Sequence, residues 1–127
     1  MTSEIVARAR ACVGARFRPQ GRSAADGLDC VGVAGIAFGV TALPRDYVLR
    51  GVALARVEAA AEAAGLRRIE AEGGAAGDLL LVEAGPAQVH LLVATAAGFV
   101  HADAGLRRVV ETPGPPRWPV LAVWRKG

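Results

Sequence analysis

Three residues of this chain have the chemistry of a catalytic site: Cys30, His90 and His101. Cys30 stands inside Gly27-Leu28-Asp29-Cys30-Val31-Gly32 and opens an apolar stretch, 31–40, with the composition of a buried helix. A thiol at a helix start meets unpaired backbone N–H groups and the positive end of the helix dipole, and both favour a thiolate. The two histidines lie downstream on candidate strands. A Cys at a helix start and a His on a sheet are the parts of an activated sulfur nucleophile.

A neutral imidazole can accept the thiol proton and leave a thiolate–imidazolium pair. His90 starts the apolar run 90–94, so it can face a cleft while its neighbours are buried. His101 lies eleven positions on, across a turn near Ala97-Gly98. Adjacent antiparallel strands joined there bring the two rings within a few residues of each other. One ring is then the base, and the other bonds its second nitrogen and fixes its tautomer. The backbone N–H of Cys30 would donate to an oxyanion. Singly, each residue has a structural reading: a buried thiol, or a satisfied polar residue on a strand. Their joint order and settings favour the chemical one. Asp29 reads either as a helix cap or as a partner for an amine or Arg of a substrate. Asp78 reads as a turn residue, and Asp103 and Glu111 as surface groups. The chain has no Walker-type loop, no G-x-G-x-x-G and no paired carboxylates at helical spacing.

The elements that must position these residues follow from periodicity. Ser3 is a plausible N-cap with Glu4 in the first turn, and Ile5, Ala9, Cys12 and Val13 recur at helical intervals before Gly14. Residues 15–28 hold Pro19, Gly21, Asp26 and Gly27 and read as a loop. A second helix runs from Asp29-Cys30 to about Gly39. Residues 41–51, with Pro44, read as a connection, and 52–64 as an Ala-rich helix ended by Gly65. Gly73-Gly74 and Gly77-Asp78 are turn signals. Beyond them come short β-type runs at 79–82, 89–94, 98–102, 107–111 and 120–125. Helices first and strands later argue for an α+β fold, with helices packed on an antiparallel sheet of about five strands.

Composition sets the frame. A chain of 127 residues, 53% hydrophobic, suits one folded domain, 1–127, and not a disordered tail. The formal charge is +3, with scattered Arg16, Arg18, Arg22, Arg67, Arg68, Arg107 and Arg108. A solvated surface is the plain reading; a basic face that meets an anionic polymer is the sharper one. Aromatic interleaving is sparse, so nucleic acid is not the expected partner. Two cysteines are too few for a disulfide scaffold and lack metal-site spacing. Cys12 reads as a small core residue. A Cys12–Cys30 disulfide stays open at this level and would silence the nucleophile. The N-terminus lacks the apolar core of a signal peptide, and no run approaches the ~20 residues of a membrane span.

Three blocks in order resemble the NlpC-type cell-wall cysteine peptidases, a compact papain-like family. The first is 21–32, ending Gly-Leu-Asp-Cys-Val-Gly; the second is Ala76-Gly77-Asp78-Leu79-Leu80, then His90-Leu91-Leu92-Val93; the third is Phe99-Val100-His101-Ala102. With the first helix they span nearly the whole chain. The resemblance implies Cys30 as nucleophile, His90 as base and His101 as the orienting third residue. It implies hydrolysis of peptidoglycan stem-peptide amides, commonly between D-glutamate and a diamino acid, with no metal or organic cofactor. Two positions depart from the common pattern. Phe17 stands where many members carry Tyr, and Val31 stands where many carry Ser. With Asp29 they make up the expected substrate-binding set, Asp29, Phe17 and Val31. Val31, Phe17-Arg18-Pro19-Gln20 and the run from His101 to Pro113 are similar to a subgroup from phage tails and gene transfer particles.

The expected function is therefore a cysteine endopeptidase of peptidoglycan carried by a phage-like tail. Its expected partners are the stem peptide and tail proteins. The expected location is a particle assembled in the cytoplasm without a signal peptide and acting on the wall. Two rivals use the same fold: a non-catalytic wall-binding or tail module, and a thiol amidase or acyltransferase acting on another amide.

Overall fold

The computed structural model describes residues 2–40, 54–70, 74–86 and 88–127. Helix α1 (Thr2–Ala11) buries Ile5 and Ala9, one turn apart on a single face. Cys12 follows it, buried and free, as is Cys30, so no disulfide joins them. The loop after α1 contains a two-residue antiparallel hairpin, β1 (Arg22–Ser23) with β2 (Gly27–Leu28). Ser23 Oγ accepts the Asp26 N–H at 3.1 Å and stabilises its turn.

Helix α2 (Cys30–Phe38) is apolar all round and is buried accordingly. Asp29 caps it in an extended conformation, and Asp29 Oδ1 accepts the Gly32 N–H at 2.8 Å. Gly39, at φ 72°, closes the other end by donating to Gly35 and Ile36. Gly32 has a packing reason: a Cβ there would run into the Gly21 carbonyl, so its absence lets the preceding loop lie on the first turn of α2. Helix α3 (Leu54–Ala63) matches the Ala-rich segment. The connection expected at 41–51, and the start of the helix expected at 52, lie outside the described residues.

The remaining strands are β3 (Leu66–Ile69), β4 (Leu79–Gly85), β5 (Gln88–Ala94), β6 (Gly98–Asp103), β7 (Arg108–Pro113) and β8 (Val120–Lys126). They form one antiparallel sheet in the order β3-β8-β4-β5-β6-β7. The α+β reading holds, and β3 makes a sixth strand beside the five expected. Two arginines in its four residues blur any alternation, and pairing with β8 supplies what local pattern lacks.

The two faces of the sheet bury different residues, as a period of two requires. Leu79, Leu81, Leu91, Val93 and Trp124 face the helices with Ile5, Val33 and Ala37. Leu80, Val82, Leu92, Phe99 and Val123 cluster on the other face, joined by Trp118. Each fully buried aliphatic chain contributes roughly 1.5–3 kcal/mol.

Two acidic residues do more than the sequence indicated. Asp78 is 1% exposed and accepts Nε and Nη2 of Arg125, each at 2.9 Å, as well as the Ala75 N–H. It therefore ties the last strand to the turn before β4. Glu111 is not a free surface group. It accepts Arg10 through 3.0–3.2 Å contacts and the Thr95 hydroxyl at 2.7 Å, joining α1 to β7 and to the end of β5.

One irregularity sets up the site. The β5–β6 ladder pairs only Val93 with Val100 and Ala94 with Phe99, although both strands run on toward His90 and Asp103. The strands part there, and α2 packs on both of them.

Candidate active site

The site begins with Asp29 because it positions Cys30. Its side chain is fully buried. Besides capping α2, it accepts the Gln20 N–H at 2.8 Å and pairs with Arg22 Nη1 at 3.1 Å. One carboxylate thus pins the preceding loop and the helix start together. Of the two readings of Asp29, the cap is the one the geometry displays, extended into a clasp.

Cys30 is 3% exposed. Burial pushes its thiol up to about 12. The backbone N–H of Leu91 opposes that shift, the Asp29 carboxylate adds to it, and the N–H groups of Val31 and Cys30 oppose it again. The sulfur therefore reaches the sheet at Leu91, the residue directly after His90, where β5 and β6 diverge. Among the described residues, Cys30 and His90 share no hydrogen bond.

His90 and His101 meet directly. His90 Nε2 lies 2.9 Å from His101 Nδ1, with the rings edge-to-face at 75°. Thr112 Oγ1 lies 3.4 Å from the far nitrogen of His101. Burial, and then the charge of His101, lower the His90 pKa to about 4, while Asp103 pulls the other way. His101 is also lowered, chiefly by burial and, in smaller part, by Arg117, against Asp103. Both rings are neutral at pH 7.

The direction of the shared proton decides the chemistry. If His90 Nε2 carries the hydrogen and donates to His101 Nδ1, the lone pair of His90 sits on Nδ1 and is available to a thiol. His101 then carries its own hydrogen on Nε2, toward Thr112. The opposite tautomer would leave His90 Nδ1 protonated and unable to act as a base. The arrangement supports one general base with one orienting partner.

Trp118 was not singled out in the sequence. Its ring lies 6.0 Å from His90, 5.9 Å from His101 and 6.3 Å from Phe99. Phe99 also contacts His101, at 5.0 Å between centroids. The two aromatics cover the histidine pair, which accounts for its desolvation. The available signal was a Trp in a Pro-rich loop just before a strand, which is weak by itself.

The other two expected residues pack against the helix-side core. Phe17 is half-buried against the helix-side core, bridges to Leu28 and donates its N–H to Arg107 O at 3.0 Å. Val31 lines an apolar cleft with Ala34, Phe38, Ala61, Leu79 and Leu91. The described residues contain no group of three metal-ligating side chains. No helix among them is long and apolar enough to cross a membrane.

No family model matches the sequence. No curated protein matches it either. Among solved structures, the chain is similar to the NlpC/p60 domain of the peptidoglycan hydrolase SagA, at 25% identity and a TM-score of 0.60, covering 89% of each chain. With its capped helix set against an antiparallel sheet that presents the histidines, this chain has the papain-like fold of NlpC/p60 domains.

Proposed function

We propose that the protein is a peptidoglycan hydrolase, a cysteine peptidase that cleaves stem-peptide amides with a Cys30-His90-His101 triad. The observation that carries this reading is the thiol at a capped helix start, set against the backbone of Leu91, whose sequence neighbour His90 has its ring bonded to a second histidine. The likeness to a domain of a peptidoglycan hydrolase supports the substrate class. His90 Nδ1 takes the thiol proton as sulfur attacks the amide carbonyl carbon. The N–H groups at the start of α2 stabilise the oxyanion. The leaving amine takes the proton from His90, and the acyl group stays on sulfur as a thioester. Water, giving a proton to His90, then attacks the thioester carbon and releases the acid, and the thiol regains that proton. Burial keeps thiol and imidazole neutral at rest, so the proton moves only as the carbonyl is attacked.

The finer assignments rest on the sequence. The D-glutamate–diamino acid bond follows from the family resemblance. A phage-like tail as carrier, and assembly in the cytoplasm before action on the wall, follow from Val31, Phe17-Arg18-Pro19-Gln20 and the segment after His101.

A non-catalytic wall-binding module is the second reading, favoured by the burial of Cys30 and its raised pKa. The separating experiment incubates wild type and Cys30→Ala with purified stem peptides and reads products by mass spectrometry, with iodoacetamide labelling of Cys30 in parallel. A Cys30-dependent fragment is expected and identifies the bond. No fragment and no labelling of folded protein would establish the module instead.

A further inference from the structure

Arg16 and Arg108 face each other as direct partners in an isolated antiparallel bridge. Phe17 N–H donates to Arg107 O and Val109 N–H to Ala15 O, so the pair is the narrow, non-hydrogen-bonded kind. Side chains of such a pair leave on the same face, with Cβ atoms roughly 4.5–5.5 Å apart. Both arginines are exposed. Like charges in that position are destabilising, and no carboxylate among the described residues pairs with either.

The register fixes which face they share. Arg108 is opposite Asp103, and Val110 is opposite His101. Alternation then puts Arg108, Val110, Asp103 and His101 on one face of the sheet, the histidine face. The arginine pair lies one alternation step, about 7 Å, along the strand from His101. Asp103 faces Arg108 directly across the ladder, and its Oδ1 is occupied within its own turn by the N–H groups of Gly105 and Leu106, at 2.8 and 3.1 Å. One oxygen of the acid opposite Arg108 is thus engaged in its own turn, and the two arginines stand on the face that carries His101.

We infer that Arg16 and Arg108, side by side next to the histidine pair, form a subsite for a carboxylate group of the substrate peptide. Two guanidinium groups at this spacing suit the planar, bidentate acceptor that a carboxylate presents. Asp103 and Val110 are their neighbours on the same face, and two guanidinium groups suit a single anionic group. The subsite would hold the acidic part of the peptide and set which amide lies over Cys30. This inference rests on the peptidase reading above.

The test compares one stem peptide in two forms, with its side carboxylate free and amidated. Binding of each to Cys30→Ala is measured by calorimetry, at low and at high salt. The carboxylate form should bind about tenfold tighter, the ratio that one charge-assisted hydrogen bond supports. Salt should shrink that preference. In Cys30→Ala carrying Arg16→Gln and Arg108→Gln, the carboxylate form should bind no better than the amidated one. Circular dichroism establishes that this variant is folded, and Cys30→Ala with Arg108→Gln alone serves if it is not. Equal binding of the two forms, no binding of either, or a preference that survives the arginine substitutions would overturn the subsite. Hydrolysis by the wild type is scored separately: cleavage without carboxylate preference removes the subsite and leaves the peptidase reading standing, and absence of cleavage removes that reading.

Discussion

Lowering the pH from about 7 to about 4 should cost the folded protein about 3 kcal/mol through His90 alone. The half-buried imidazole lies against Trp118 and next to the ring of His101, and its pKa falls from 6.5 to about 4. In the unfolded chain it takes up a proton below about 6.5, while the folded protein refuses one until about 4. Between those values the unfolded state holds more protons, so stability falls as the pH falls and levels off once the folded form protonates too. At 1.36 kcal/mol for each pH unit, that window is worth about 3 kcal/mol. Urea unfolding of wild type and His90→Gln, at about one-unit steps over this range, isolates the contribution. His90→Gln is less stable at neutral pH because it breaks the contact with His101, but its stability should decline less on acidification, by about that amount. Parallel decline of the two proteins would refute the idea that a buried neutral imidazole sets the acid sensitivity.

Two further expectations concern the supports of the site. Asp29→Ala removes the cap of α2 and leaves Arg22 without its buried anion, so it should destabilise by about 3–5 kcal/mol, read as a loss in urea midpoint; a change under about 1 kcal/mol would show that the clasp is not needed. Trp118→Ala should wet the histidine pair and raise the His90 pKa, moving the acid limb of kcat/KM upward from about 4 by roughly one unit. An unmoved limb would mean that Trp118 does not shield the base.

The candidate residues Cys30, His90 and His101 and their local settings were legible because each depends on local pattern. A Cys preceded by Asp and followed by an apolar run marks a capped, buried helix start, and the structure has both the cap and the burial. The histidines carry a separation that one hairpin converts into contact, and the rings do touch. The helices and all but one strand of the six-stranded sheet followed from periodicity for the same reason, while the short β1–β2 hairpin lies in a segment read as a loop. β3 escaped because its residues are those of an exposed edge, and its partner lies at the far end of the chain.

Asp78 and Glu111 illustrate the opposite case. Nothing near either residue in sequence distinguishes a surface carboxylate from one that joins distant elements, because their partners Arg125 and Arg10 are 47 and 101 positions away. Trp118 likewise acquires its place over the histidines only when β8 threads between β3 and β4 and brings the preceding loop to the sheet.

By itself, then, the sequence determined which residues could carry the chemistry, which segments form the helices and where five strands of the main sheet run, because those properties are written in neighbouring residues and a short period. Tertiary structure alone decided how strongly the thiol and imidazoles are desolvated, which proton arrangement leaves a usable base, and which arginines stand side by side. Each of those depends on distance and dielectric between residues that meet only after the sheet has formed.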